Sequence, residues 1–283
     1  GYDFIKVHPG LSSDEFEALA RTANALEMSY AGHVPVAAGV SRALELNMAS
    51  IDHLDGYMAA LLPADSVGSG GYGGFFDVML AAELETDRIV DIARETAAAS
   101  TWNVPTEVLV ELRVNETPVS ELRNWPEMRY MPAATVQRWA NDKAAVISAS
   151  DFNPEVAAAA IEIRRKLIFE LHRAGAGLLL GSDSPQVFNV PGFSLHRELE
   201  VLVEVGLTPY EALRTGTVAV DEFLGSNTGV VAVGRAADLV LVDANPLVDI
   251  RNARRIHGVM LRGHWNSAAA LAERLEPYIR DAN

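Results

Sequence analysis

Cysteine is absent from this 283-residue chain, which excludes disulfides, thiolate metal sites and a cysteine nucleophile. Any metal must therefore be held by nitrogen and oxygen. No apolar run is long enough to span a bilayer, and no basic-then-apolar leader precedes Tyr2. A soluble protein is expected, with the cytoplasm favoured among compartments. Positive charge is scarce: 23 Lys and Arg stand against 38 Asp and Glu, a formal charge of −15. The acidic residues are scattered, so they read as a solvated surface, one that repels nucleic acid and anionic membranes within a Debye length. What remains is a chain with 49% hydrophobic residues, ample for one large core.

Tyr2 to Val7 already reads as a buried strand, so an N-terminal portion ahead of this chain is expected. Ser12 with Glu15 is a capping box that opens a helix, and Phe16, Leu19, Ala20 and Ala23 continue it at helical spacing. Strands are expected over about Ser29 to His33 and Ala49 to His53, with a short helix from Val40 to Leu46 between them. This alternation is the rhythm of parallel sheets. Pro63 to Phe76, rich in glycine, reads as a flexible loop whose spacing does not match a phosphate cradle. A helix from Asp87 to Ala99 and a strand from Thr101 to Val110 follow, then an irregular apolar insert from Asn115 to Asn153. Pro154 opens a long helix that Gly175 closes, and Gly177 to Asp183 reads as a strand. Helices are expected from Ser194 to Val205 and from a second capping box, Thr208 with Glu211. From Gly229 the pattern changes to short β segments: Val230 to Val233, Asp238 to Asp243 and Ile256 to Arg262.

Four of these strands close on residues able to hold a metal: Lys6, His33, His53 and Asp183. Singly each is weak, because a strand-end histidine is commonly a hydrogen-bonded structural residue and a lysine commonly snorkels. Together they gain weight, since parallel strand ends converge on one rim. Imidazole and carboxylate suit a divalent ion, most often zinc, which activates a bound water. Asp183 is then expected to act both as ligand and as general base. His8 and His196 are candidate substrate contacts, the former beside Lys6 and the latter at a helix start. His172, His257 and His264 read as structural.

The phrases Tyr2-Asp3-Phe4-Ile5-Lys6-Val7, Gly32-His33-Val34-Pro35, Ser50-Ile51-Asp52-His53-Leu54 and Gly181-Ser182-Asp183-Ser184-Pro185-Gln186 resemble the amidohydrolase superfamily. The resemblance is to its imidazolonepropionase-like and Xaa-Pro dipeptidase-like branch, and Gly234-Arg235-Ala236-Ala237-Asp238-Leu239-Val240-Leu241-Val242-Asp243 is similar to the segment that returns to that family's small β-sandwich. The resemblance implies an α/β fold, namely a partial TIM-like (β/α) barrel of strands four to eight (1–228) followed by a β-sandwich segment and C-terminal helix (229–283). It also implies one or two divalent ions, with Lys6 taking up CO2 as a carbamate that bridges two metals, His33 and His53 binding the second ion and Asp183 the first. A metal-dependent hydrolysis of C–N bonds in an amide, a cyclic amide or an Xaa-Pro dipeptide is the implied activity.

This chain departs from the family pattern in three respects. The His-x-His pair has no counterpart here, Asp52 stands where Glu is common, and His8 stands where Tyr is frequent. A missing N-terminal segment, or a homo-oligomer, is therefore an expected partner alongside the small-molecule or dipeptide substrate. Two rival readings remain: a non-catalytic fragment that associates through open sheet edges, and a barrel hydrolase using Asp52 and Asp183 as paired carboxylates.

Overall fold

A computed structural model describes residues 1–64 and 75–279. In chain order the regular elements begin with β1 (Phe4–Val7), α1 (Ser13–Ala25), β2 (Ser29–Gly32), α2 (Gly39–Glu45), β3 (Ser50–Asp52) and α3 (Tyr57–Ala60). They continue with α4 (Ile89–Ala98), β4 (Trp102–Val104), α5 (Glu107–Val114), α6 (Val119–Arg123), α7 (Ala133–Ile147) and α8 (Pro154–Ala174). Last come α9 (Phe193–Val205), α10 (Pro209–Thr215), α11 (Val218–Leu224), β5 (Leu239–Val242), β6 (Ile256–Leu261), β7 (His264–Ser267) and α12 (Ala268–Leu275). Two compact units emerge, one of Gly1–Val110 with Asp151–Leu179, the other of Glu111–Ser150 with Leu180–Asn283. No helix among the described residues is long and apolar enough to cross a membrane.

The first unit is built on a four-stranded parallel sheet in sequential order β1-β2-β3-β4. Helices connect the strands, as parallel pairing requires. Both capping boxes form: Ser12 with Glu15 opens α1, and Thr208 with Glu211 opens α10 in the second unit. The long helix α8 begins on Pro154 under an Asn153 cap and ends at Gly175 in the left-handed conformation. It packs against α4 and buries Ala157, Ala160, Leu167, Ile168 and Leu171, a stripe at helical spacing.

Several elements differ from expectation. The strand expected over Thr101 to Val110 stops at Val104, because Pro105 has no N–H for the ladder and the chain then turns into α5. The strand expected over Gly177 to Asp183 is reduced to a parallel bridge of Leu178 with Asn103. Two backbone hydrogen bonds hold it, Asn103 N–H to the Gly177 carbonyl and Leu179 N–H to the Asn103 carbonyl, both 2.8 Å. Gly177 is needed there, since a Cβ would meet the Trp102 ring at 2.3 Å.

In the second unit, the insert expected to be irregular contains α6, α7 and a 3-10 turn over Pro126–Tyr130. The stripe of α7 was hidden because one of its buried positions, beside Trp139 and Ala140, is Lys143. Val230 to Val233 forms no strand. The antiparallel sheet is instead β5-β6-β7, in which the unexpected β7 pairs Trp265 with Met260. The glycine-rich loop falls largely on residues 65–74, outside the described residues.

Candidate active site

Parallel pairing places the ends of β1, β2 and β3 at one edge of the first unit. The ladder runs one bond past each strand: His33 N–H donates to the Val7 carbonyl at 3.1 Å, and His53 N–H to the Val104 carbonyl at 2.8 Å. Lys6, His8, His33 and His53 are thereby brought together. Ring centroids lie 5.6 Å apart for His8 and His33 and 4.9 Å apart for His33 and His53.

Each of the two central imidazoles is held through Nδ1. His33 Nδ1 lies 2.7 Å from Asp55 Oδ2, and His53 Nδ1 lies 2.7 Å from Thr106 Oγ1. The Asp55 carboxylate, an acceptor, places the His33 proton on Nδ1 and directs coordination to Nε2, while the Thr106 hydroxyl fixes the plane of the His53 ring. Phe76 stacks on the His53 ring at 4.8 Å, covering it with an apolar face. The Lys6 amine is paired with Asp52, and its aliphatic stem passes directly over Gly32.

His53 and Leu54 both take left-handed backbone conformations, with φ of 59° and 58°, and Thr106 has φ of 49°. Non-glycine residues pay for this with strain of roughly 1–3 kcal/mol each, sustained only where the surroundings over-determine them. Here the surroundings include Arg164. Its side chain is fully buried on α8, where Nη2 donates to the His53 carbonyl and Nε to Glu107 Oε2, both at 2.9 Å. The Asp77 carboxyl is also pushed up, by burial and by the neighbouring Asp55 charge, with the Arg164 charge opposing.

Asp183 belongs to the second unit, beyond the Leu178 bridge, and has φ of 49°. Gln186 Nε2 donates to its Oδ2. His196 lies on α9, in the wall of a cavity of about 570 Å³ lined also by Pro126, Phe193, Arg254, Ile256 and Leu275. Burial, and then the Arg254 charge, hold its ring below the ordinary histidine range and so favour the neutral form. Beside it Arg197 lies over the Trp125 ring, 3.5 Å from the centroid, and donates to Glu127 at 3.1 Å. His257 is paired with Asp243 at 2.9 Å.

Among the described residues no three His, Asp or Glu side chains form a ready metal-holding group. The donor chemistry at the strand ends nevertheless fits a divalent ion, because two adjacent imidazoles are each fixed through Nδ1 by an oxygen partner.

Sequence reasoning did not find Asp55, Thr106, Glu107 or Arg164. The signal for Arg164 was present, as a charged residue on the otherwise apolar stripe of α8. That for Asp55 was a carboxylate two residues past a strand-end histidine.

The family model described as "Amidohydrolase family" matches residues 5–265. No curated protein matches the chain. Among solved structures, bottromycin amidohydrolase is 25% identical with a TM-score of 0.70, over 99% of this chain and 60% of its own. A Xaa-Pro dipeptidase with methionine bound in its active site is 17% identical with a TM-score of 0.58, over 95% of this chain and 55% of its own. Molinate hydrolase is 18% identical with a TM-score of 0.59, over 100% of this chain and 56% of its own. The chain thus spans less than two thirds of the length of these structures.

Proposed function

The chain belongs to the amidohydrolase family, and from that premise we propose that it supplies part of a metal-dependent hydrolase acting on C–N bonds in an amide, a cyclic amide or an Xaa-Pro dipeptide. The observation that carries the reading is the pair His33 and His53 on adjacent strand ends, 4.9 Å apart and each fixed through Nδ1. We assign 1–228 to barrel strands four to eight and 229–283 to a returning β-sandwich segment.

In this reading His33 and His53 hold a divalent ion, zinc in preference, through Nε2, with Lys6 beside them, and Asp183 is assigned to the same set from the family resemblance alone. When bound, such an ion supplies a Lewis acid and an activated water. The chain's own residues do the rest. Asp183 takes the proton from the attacking water at its carboxylate and returns it to the leaving nitrogen, with Gln186 holding one oxygen in place. Phe76 excludes water from the His53 face. His8, beside His33, contacts the substrate, and His196 contacts it as a neutral ring. As an amine, Lys6 is the partner of Asp52; as a carbamate it is an anion, so uptake of CO2 must release that pair.

The test is metal content. Protein prepared with zinc and bicarbonate should carry the metal, and His33→Ala with His53→Ala should lose it. If the parent protein binds none and Lys6→Ala changes nothing, the reading is wrong for this chain. A second reading, association through an open sheet edge, is favoured by one observation. β1 is an edge strand of its sheet, and Tyr2 and Phe4 are exposed beside it. Sedimentation across a concentration series would show a Tyr2→Lys, Phe4→Lys variant less associated than the parent.

A further inference from the structure

We infer that the buried Arg164–Glu107 ion pair is a positioning device that holds His53 in its strained conformation with its ring fixed. The inference rests on the reading of His53 as a metal ligand, but it concerns residues to which that reading gives no role.

Three atoms of His53 are held from outside the residue. The Val104 carbonyl accepts its N–H at 2.8 Å, Arg164 Nη2 donates to its carbonyl at 2.9 Å, and Thr106 Oγ1 pairs with ring Nδ1 at 2.7 Å. Glu107, which anchors Arg164 at 2.9 Å, directly follows Thr106 in the chain. One ion pair therefore ties the turn after β4 to the turn after β3, and does so where both turns carry left-handed backbone, φ 59° at His53 and 49° at Thr106. The ring and the carbonyl of one residue are fixed from two adjacent residues and from a helix more than a hundred positions away.

Stability alone does not account for this arrangement. Arg164 and Glu107 are both fully buried, and a buried ion pair is commonly no better for stability than apolar side chains of the same volume. Among the described residues Arg164 Nη1 is, in addition, buried without a hydrogen-bond partner, a cost that an apolar residue would not bear. What an apolar replacement cannot do is donate to the His53 carbonyl. The pair is thus better explained by the geometry it imposes than by the energy it adds.

The experiment uses the full chain and the double variant Arg164→Met, Glu107→Met, which leaves neither charge buried alone. The readout that a merely structural role would not move is the imidazole nitrogen–proton correlation spectrum of His53, assigned with His53→Gln, in metal-free protein. The parent should show one tautomer, protonated at Nδ1. In the double variant the thermal midpoint should fall by no more than a few degrees, from the lost bond to the His53 carbonyl, while the His53 signals broaden or split between tautomers, and cobalt(II) affinity should fall about 10–100-fold, as for other outer partners of metal ligands. Should the double variant fail to fold, Arg164→Lys keeps the charge facing Glu107 but lacks the forked donors needed to serve both partners, and the same spectral change is expected. An unchanged His53 spectrum in a folded variant overturns the inference. Absence of cobalt binding by the parent would instead defeat the metal reading, and the metal-free spectrum would still decide the role of Arg164.

Discussion

Replacing Gly32 by alanine should cripple the strand-end site and cost a large part of the fold's stability. Gly32 has φ of +117°, a conformation that side-chain-bearing residues adopt only at roughly 1–3 kcal/mol of strain. An added Cβ would lie 2.8 Å from Lys6 Cδ and 2.8 Å from the Val7 carbonyl oxygen. The lysine stem is flexible and can move, at the expense of its pairing with Asp52. The Val7 carbonyl cannot, because it accepts the His33 N–H at 3.1 Å and belongs to the β1–β2 ladder. Relieving that contact loses a hydrogen bond, about 1 kcal/mol, and adds overpacking of about 1–3 kcal/mol. The sum is roughly 3–7 kcal/mol, out of a typical total of about 5–15 kcal/mol. Urea unfolding followed by circular dichroism measures the loss, and hydrogen exchange at the His33 amide reports the local effect. A loss below about 1 kcal/mol, with the His33 amide still protected, would show that the close approach of Lys6 and Val7 to Gly32 does not constrain this strand.

Three further outcomes are expected. Asp55→Ala removes the oxygen partner of His33 Nδ1 and should lower zinc affinity about 10–100-fold, read by chelator competition; unchanged affinity would mean that His33 is not oriented by Asp55. The folded-state pKa of His196 is lowered by burial and then by Arg254, so the unfolded chain binds the proton first as pH falls below the ordinary 6.5. His196→Gln should accordingly flatten the acid loss of stability in that window, and an identical acid limb in parent and variant counts against the burial argument. Lys143 is pushed down by burial from 10.5 to about 8, so it makes the parent's stability rise with pH between those values, where the unfolded state holds the extra proton. Below that window its amine donates to the Leu112 and Asn115 carbonyls and to Asn115 Oδ1. Lys143→Met should abolish the alkaline rise and, at neutral pH, cost roughly 2–4 kcal/mol by taking the ammonium donor from the Leu112 and Asn115 carbonyls, Asn115 Oδ1 keeping the Thr117 N–H; calorimetry across pH tests both.

The elements legible in the sequence were those whose signals are local. The capping boxes at Ser12 and Thr208, Pro154 at the start of α8 and Gly175 at its end each act within a few residues, and each appears as read. Where a tertiary partner decides the outcome, the reading failed. Residues 177–183 carry a strand's composition, but the Leu180 N–H goes to the Thr215 carbonyl, and the sheet pairing stops at a bridge. The helix α7 went unseen because Lys143, the polar residue on its buried face, finds its acceptors in the segment around Asn115 and not on the helix itself.

The site divides along the same line, and the division bears on how such sites can be read. His33 and His53 were legible because ladder geometry alone decides where a parallel strand ends, and those residues come next. Their supports were not, because Thr106 lies 53 residues and Arg164 111 residues from His53, distances over which one sequence carries no contact information. Yet Arg164 did leave a trace, since the α8 stripe of Ala157, Ala160, Leu167, Ile168 and Leu171 is interrupted by it alone. A guanidinium on a buried stripe must meet a carboxylate or a carbonyl, because its burial unpaired is prohibitive. Glu107, itself fully buried on the first turn of α5 beside a strand-end turn, is the matching trace. Two charges that each violate their own element's pattern therefore predict one another, and the place where they meet is the place where the backbone carries strain.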